Sequence, residues 1–163
     1  MIIFKKVNDY QDIKDMSILA TSIMKKHYDP IVGSELNDHM LAKYQSVNGI
    51  TQEIDGGAEY FFVTLNGERV GFVAVDAKEE YLYLSKFYLD IDHRGKGLSS
   101  EMMAFVNDYA KERKLQYVKL NVNADNFHTV EVYKRFGFEV AEELQRDVGS
   151  GYNVHDYVMV KHV

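Results

Sequence analysis

The chain has 163 residues, with no cysteine, no tryptophan and a single proline. Without cysteine it forms no disulfides and offers no thiolate metal ligands, so we expect a protein of a reducing compartment, the cytoplasm. No apolar run approaches the roughly 20 residues that span a bilayer, so no membrane association is expected. The segment Met1 to Lys6 carries its charges after a short apolar run, which is unlike a signal peptide.

The chain also has no repeats, no low-complexity segment and no segment typical of an interdomain linker. We therefore expect one domain over residues 1–163. An apolar content of 46% with 13% aromatic residues is typical of a packed core. The formal charge of −6 disfavours nucleic-acid binding. It either attracts a cationic partner or only aids solubility. The six histidines show no ligand spacing, so no metal is expected.

Hydrophobic periodicity in the first third predicts one strand and two helices. The strand covers Ile2 to Val7, and Asn8 or Asp9 can cap the helix that follows. Tyr28-Asp29-Pro30 is expected to break this helix. Ser34 is a candidate cap for the second helix, which Asn48-Gly49 ends.

The middle of the chain predicts three antiparallel strands. Asn66-Gly67 lies between the aromatic and β-branched runs Tyr60–Leu65 and Val70–Val75, which is the strongest short-range hairpin signal. A third run covers Tyr81 to Leu89. The predicted fold class is α/β, or α+β, with a mixed sheet.

The last part of the chain predicts two further helices and three strands. A helix over residues 98–113 leads to a strand at Val118–Val122, and such a crossover makes the two flanking strands parallel. A second helix covers Asn126 to Phe136, and two strands follow. The Gly149-Ser150-Gly151 segment between them is expected to be a turn rather than a second phosphate loop.

Arg94-Gly95-Lys96-Gly97 stands directly before a helix. Free backbone N–H groups at a helix start bind phosphate, and glycines let the anion approach closely. The alternative is ordinary turn chemistry. Neither the Walker P-loop nor the Rossmann fingerprint fits, because Gly97-Leu98 follows Lys96 and the third glycine is missing.

Three segments in order resemble the GNAT superfamily, which transfers acyl groups from coenzyme A to amines. Arg94-x-x-Gly97-x-Ser99 resembles its (Gln/Arg)-x-x-Gly-x-(Gly/Ala) loop, with Ser99 in place of the usual glycine or alanine. Residues 84–89 resemble its splayed fourth strand, although Ile91 stands where proline is frequent. Residues 126–138 are similar to its N-x-x-(A/S/T)-x-x-x-Y-x-x-x-G-F helix. The resemblance implies a mostly antiparallel seven-stranded sheet, flanked by about four helices and splayed between strands 4 and 5.

The resemblance also implies acetyl-CoA as cosubstrate and supplies candidate site residues. Backbone groups of the fourth strand would hold the pantetheine arm, the loop would hold the diphosphate, and Tyr133 would be the general acid for the leaving thiolate. Tyr133 can instead be a core aromatic, because it shares a helical face with Val130. The candidate cofactor-binding residues are Phe87, Tyr88, Leu89, Arg94, Gly95, Lys96, Gly97, Leu98, Ser99, Asn126 and Tyr133.

The implied function is transfer of an acetyl group from acetyl-CoA to a primary amine, by direct attack in a ternary complex. Alternatives are a non-catalytic acyl-CoA sensor and an acetyltransferase for protein N-termini or lysines. The general base stays unassigned among Glu80, Tyr83, Ser85, Lys86, Asn121 and His128.

The acceptor is expected to be a small-molecule amine, and a polyamine is the first hypothesis. The segment Tyr28 to Glu35 weakly resembles bacterial polyamine acetyltransferases, and Tyr28, Asp29, Glu35 and Asp38 are the candidate substrate residues. These acids can instead simply solvate a helix start. A homodimer stays open.

Overall fold

The computed structural model describes residues 2–149 and 151–163. One seven-stranded sheet has the order β1-β2-β3-β4-β5-β7-β6. Its strands are β1 (Ile2–Lys6), β2 (Glu59–Leu65), β3 (Glu68–Ala77), β4 (Tyr81–Leu89), β5 (Tyr117–Asn123), β6 (Glu139–Gly149) and β7 (Tyr152–His162). The α-helices are α1 (Tyr10–Val32), α2 (Ser34–Tyr44), α3 (Val47–Asp55), α4 (Leu98–Glu112) and α5 (Phe127–Arg135). Among the described strands only β4 and β5 pair in parallel, which confirms the predicted mixed, mostly antiparallel sheet.

Helices cover both faces of the sheet because its central strands are apolar on both sides. On one face, α4 and α5 pack through residues such as Met102 and Val130. On the other face, α1 and α3 pack through residues such as Met16 and Ile50. Neighbouring residues of β2 divide between the two cores, with Phe61 in the first and Phe62 in the second, as strand alternation requires.

The predicted hairpin is present between β2 and β3. Asn66 and Gly67 have φ of 51° and 84°, the positive values that a two-residue hairpin turn needs. The third predicted strand matches β4 residue for residue. The predicted turn Gly149-Ser150-Gly151 includes Ser150, which lies outside the described residues.

The prediction that Asp29-Pro30 breaks the first helix is wrong. Helix α1 continues to Val32 with Pro30 inside it. A proline deletes one helical hydrogen bond, but Pro30 is exposed and within the last turn, where the loss is small. The Gly33 N–H still donates to Asp29 O at 3.0 Å. No helix in the described part of the chain is long and apolar enough to cross a membrane.

The second predicted helix is in fact two helices. Helix α2 ends at Tyr44, and Ser46 caps α3 through a hydrogen bond from the Gly49 N–H to its hydroxyl at 3.1 Å. Gly49 therefore lies in the first turn of α3 rather than at a helix end. A Cβ there would lie 2.6 Å from Lys43 O, so glycine allows α2 and α3 to approach closely.

Candidate active site

The parallel strands β4 and β5 pair only at their start. Residues 81–83 of β4 face residues 117–119 of β5, and no later residue of β4 has a partner on that side. The strands therefore splay apart, as the resemblance implied, and leave the last six residues of β4 unpaired along one edge. This edge includes Phe87, Tyr88 and Leu89, the predicted pantetheine contacts.

A β-bulge in β4 interrupts the alternation of its side chains between the two faces of the sheet. Ala74 pairs with Lys86 and Val75 with Leu84, so Ser85 has no partner in β3. An extra residue of this kind turns two successive side chains toward the same face. Consequently Tyr83, Ser85, Lys86 and Tyr88 all line one cavity of about 400 Å³. Small-molecule sites have volumes of about 300–1,000 Å³.

The glycine loop joins β4 to α4 through a short 3-10 turn at Ile91–His93. Gly95 and Gly97 have φ of 77° and 78°, and nothing lies within 4 Å of where a Cβ would stand at either residue. Gly97 is the N-cap of α4, and no side chain caps the first turn. Uncapped N–H groups beside open space suit a phosphate group, so the loop fits the diphosphate that the resemblance implies.

His27 of α1 connects the glycine loop to α5. An Arg94 Nη2 lies 2.9 Å from His27 Nδ1, and the Asn126 amide lies 2.9 Å from His27 Nε2. Two predicted cofactor residues are thus joined through a helix on the opposite face of the sheet. The Arg94 Nε also donates to Leu89 O at 3.4 Å, so this guanidinium connects the glycine loop to the end of β4.

The ring of His27 is neutral. Burial lowers its pKa to about 4, and the charge of Arg94 adds to the effect. Arginine only donates, so Nδ1 must accept and the single ring proton lies on Nε2. The Asn126 atom placed 2.9 Å from Nε2 is Nδ2, so the amide must be turned over for its oxygen to accept the Nε2–H hydrogen bond. The sequence offered no signal for this contact, because its partners are far apart along the chain.

Tyr133 and Tyr88 lie close to the splay. The Tyr133 ring is 6.0 Å from Phe87 and 5.6 Å from Phe138, centroid to centroid. Burial raises the pKa of Tyr133, so its hydroxyl keeps its proton at neutral pH. Tyr88 and Tyr28 share a hydrogen bond of 3.0 Å between their hydroxyls, and burial raises the pKa of both. The structure thus brings Tyr28 to the cavity, as well as Tyr88.

The other predicted substrate residues are not among those that line the cavity. Asp29 and Asp38 both pair with Lys25, at 3.4 and 2.6 Å. A hydrogen bond to Glu35 raises the pKa of Tyr152, so Glu35 also has a partner. Their role in substrate binding stays a prediction, and each of these acids already contacts another residue of the chain.

The candidates for the general base divide in two groups. Tyr83, Ser85, Lys86 and Asn121 line the cavity, whereas Glu80 and His128 are exposed outside it. The cavity also contains polar residues that the sequence did not single out, from elements distant along the chain: Asn37, Gln45, Glu53, Asp76, Asn123, Arg146 and Asp156. Among the described residues, no three histidine or acidic side chains form a group suited to a metal.

The model of the acetyltransferase (GNAT) domain matches residues 28–159. The chain belongs to the GNAT acetyltransferase family. The matched segment includes the end of α1, the splayed strand, the glycine loop and α5. The family assignment thus agrees with the resemblance found in the sequence.

Curated relatives of this GNAT protein include two acetyltransferases with partial coverage. An uncharacterized N-acetyltransferase of Methanocaldococcus jannaschii is 36% identical over 93 residues, which are 53% of this chain and 41% of that protein. The spermine/spermidine N(1)-acetyltransferase of Bacillus subtilis is 31% identical over 87 residues, 48% of this chain and 57% of that protein. The chain thus spans about half the length of these relatives.

Solved structures share the fold at low identity. The PaiA N-acetyltransferase of Thermoplasma acidophilum, in complex with coenzyme A, has a TM-score of 0.80 at 17% identity and covers 100% of this chain and 99% of that chain. The ribosomal-protein-S18-alanine N-acetyltransferase of Escherichia coli has a TM-score of 0.72, also at 17% identity, and covers 100% of this chain and 94% of that chain. At these identities the likeness shows the fold alone.

Proposed function

We propose that the protein transfers the acetyl group of acetyl-CoA to the primary amine of a small acceptor, by direct attack within a ternary complex. The observation that carries this proposal is the convergence of three features at one end of the sheet. These are the splayed edge of β4, the uncapped start of α4 and the buried hydroxyl of Tyr133. A cavity large enough for a small molecule opens beside β4 and is lined by Tyr83, Ser85, Lys86 and Tyr88 of that strand.

Acetyl-CoA, when bound, supplies the thioester. The uncapped N–H groups of residues 94–99 would hold its diphosphate, and the unpaired edge of β4 at Phe87 to Leu89 would hold its pantetheine arm. Asn126 would contact the arm as well. The acceptor nitrogen forms the amide bond while the carbon–sulfur bond breaks. Tyr133 donates the proton that the departing thiolate takes up, and the proton that the acceptor nitrogen loses restores the Tyr133 hydroxyl.

The small volume of the cavity favours a free amine over a protein chain as acceptor. A polyamine remains the hypothesis made from the sequence, and a relative named for spermine and spermidine supports including polyamines among the candidates. The acids that motivated this hypothesis lie outside the cavity lining.

The experiment is a measurement of free thiol released from acetyl-CoA in the presence of a panel of amines. Wild-type protein should release coenzyme A only when a suitable amine is present, and the acetylated amine should appear in equal amount. Binding of acetyl-CoA without release across a broad panel, or release equal to that without protein, would favour a non-catalytic sensor.

A further inference from the structure

The cavity beside β4, where we propose that the acceptor binds, contains three carboxylates. Each already has a hydrogen-bond or ion-pair partner. Glu53 accepts a hydrogen bond from the Tyr60 hydroxyl at 2.5 Å. Asp76 pairs with Lys78 at 2.9 Å. Asp156 is 3% exposed and receives both the Nε and an Nη of Arg146, each at 2.9 Å. The negative groups of the cavity thus have partners within the chain.

Gln45, in contrast, is a lining residue of the cavity and has an unsatisfied amide. The residue is 1% exposed, and within residues 2–149 and 151–163 neither its amide nitrogen nor its amide oxygen has a hydrogen-bond partner. Its backbone is fixed, because its N–H donates to Leu41 O and its carbonyl accepts from the Ser17 hydroxyl. Buried polar groups in native proteins are nearly always paired, so we expect a water molecule or a ligand in the cavity to complete this amide.

Lys86 is the second cavity group that lacks a partner. The bulge at Ser85 turns it into the cavity, where its Nζ lies 6.0 Å from the centre of the Tyr44 ring. Across residues 2–149 and 151–163, its ammonium makes no ion pair or hydrogen bond. Burial lowers the pKa of Lys86, and Glu53 acts in the opposite direction. A half-buried ammonium without a counter-ion is unfavourable until an anion arrives.

We propose that the acceptor carries a carboxylate in addition to the reacting amine, and that Lys86 and Gln45 bind this carboxylate. This inference rests on the proposed function and names its substrate class, a small amino acid. Lys86 supplies the charge and the Gln45 amide supplies a hydrogen-bond donor. Methionine and valine side chains at Met24, Val32 and Met40 line the rest of the cavity and suit a hydrocarbon portion.

Other acceptor classes fit this arrangement less well. A polyamine brings only cationic groups, which Lys86 repels; they can donate to the Gln45 amide oxygen but leave its amide N–H groups unpaired. A phosphate carries more negative charge than a carboxylate, and Glu53, Asp76 and Asp156 surround the cavity. A singly charged carboxylate matches one unpaired cation.

The test compares acceptors in matched pairs. L-Amino acids with apolar, polar and charged side chains are each assayed beside the amine that lacks only the carboxylate, together with spermidine and phosphoethanolamine. A hydrogen bond to a charged group contributes about 1.5–3 kcal/mol, so kcat/KM should favour the best amino acid over its matched amine by about 10- to 100-fold. The difference should lie in KM. Preference for spermidine, phosphoethanolamine or the matched amines would overturn the proposal.

Variants identify the residues responsible. Lys86→Met and Gln45→Leu keep approximate size, and each should raise KM for the amino acid, so that the kcat/KM ratio of amino acid to matched amine falls about 10-fold or more. Lys14→Met is the control, because Lys14 is an exposed lysine in the first half of α1, away from the cavity. It should match wild type with every acceptor. An equal loss for both members of a pair in Lys86→Met would contradict the assignment.

A binding measurement separates this proposal from the proposed function. The 2-hydroxy acid that corresponds to the best amino acid has no amine to acetylate; calorimetry should detect its binding to wild type, with affinity about 10-fold or more lower for Lys86→Met. If no panel member is acetylated, 2-hydroxy acids of the whole panel are titrated instead. Binding that depends on Lys86 would then retain the carboxylate site although acetyl transfer fails, whereas absence of binding would overturn the site itself.

Discussion

Replacing His27 by glutamine should make the stability of the protein less sensitive to acid. The folded chain holds His27 neutral, with its pKa lowered to about 4 by burial and by Arg94, against an ordinary value of 6.5. Above pH 6.5 the ring is neutral in both folded and unfolded states, so it causes no pH dependence there. As the pH falls below 6.5, His27 becomes protonated in the unfolded chain but stays neutral in the folded chain. The folded state therefore loses stability until about pH 4, where the folded ring is protonated as well.

The size of the effect follows from this shift. At about pH 5 the unfolded ring has been protonated over roughly 1.5 pH units while the folded ring has not, which corresponds to about 2 kcal/mol. Glutamine does not titrate and retains a donor and an acceptor for Arg94 and Asn126. The wild type should therefore lose about 2 kcal/mol more than His27→Gln between about pH 7.5 and pH 5.

Urea unfolding followed by circular dichroism measures this difference, since the chain has no tryptophan for fluorescence. The carboxylates contribute equally in the two proteins. Their contribution therefore cancels when the losses of unfolding free energy between the two pH values are compared. Equal losses of unfolding free energy in wild type and variant would show that His27 is not held neutral, and the argument for its Nε2 proton and its link to Asn126 would then be wrong.

Three further substitutions probe the cofactor site and the sheet. Gly97→Glu should abolish acetyl-CoA binding in calorimetry by placing a negative charge where we propose that the diphosphate binds. Gly67→Glu, at another open position with positive φ, should bind normally; unchanged affinity in folded Gly97→Glu would refute the loop assignment. Tyr133→Phe should lower kcat by about 10²–10⁴ and leave KM for acetyl-CoA nearly unchanged, whereas a fully active variant would return Tyr133 to a packing role. Gly71→Ala would place a Cβ 2.4 Å from Tyr88 O and should lower the free energy of unfolding in urea by about 1–3 kcal/mol. Gly56→Ala, where the Cβ contacts are 3.4 Å or longer, should lower it less. Equal losses would contradict the close approach of β3 and β4.

Local signals in the sequence predicted the elements whose causes are local. Asn66-Gly67 identified the first hairpin because turn geometry restricts those two residues. Aromatic residues and leucines gave the bounds of β4, and the glycines before α4 marked its start. The short helix α3 was missed, because Asn48-Gly49 is typical of a helix end and only the packing of Gly49 on α2 shows why glycine stands inside a helix.

The acceptor cavity could not be read from the sequence. Its lining comes from elements at both ends of the chain, so no sequence spacing predicts that Gln45 and Arg146 line the same cavity. The bulge at Ser85 is a property of the pairing between β3 and β4, and without it Lys86 would face the other side of the sheet. That the side chains of Gln45 and Lys86 lack hydrogen-bond partners among the described residues can be seen only in the folded structure.

Acetyl transfer itself is tested most directly by mass spectrometry of the acceptor. The protein is incubated with acetyl-CoA that carries an isotopic label in the acetyl group, together with the amine panel. We predict a labelled N-acetyl amine formed in equal amount to free coenzyme A, and its loss in Gly97→Glu. Tight acetyl-CoA binding with no labelled product from any amine would contradict the assignment of this protein as an enzyme.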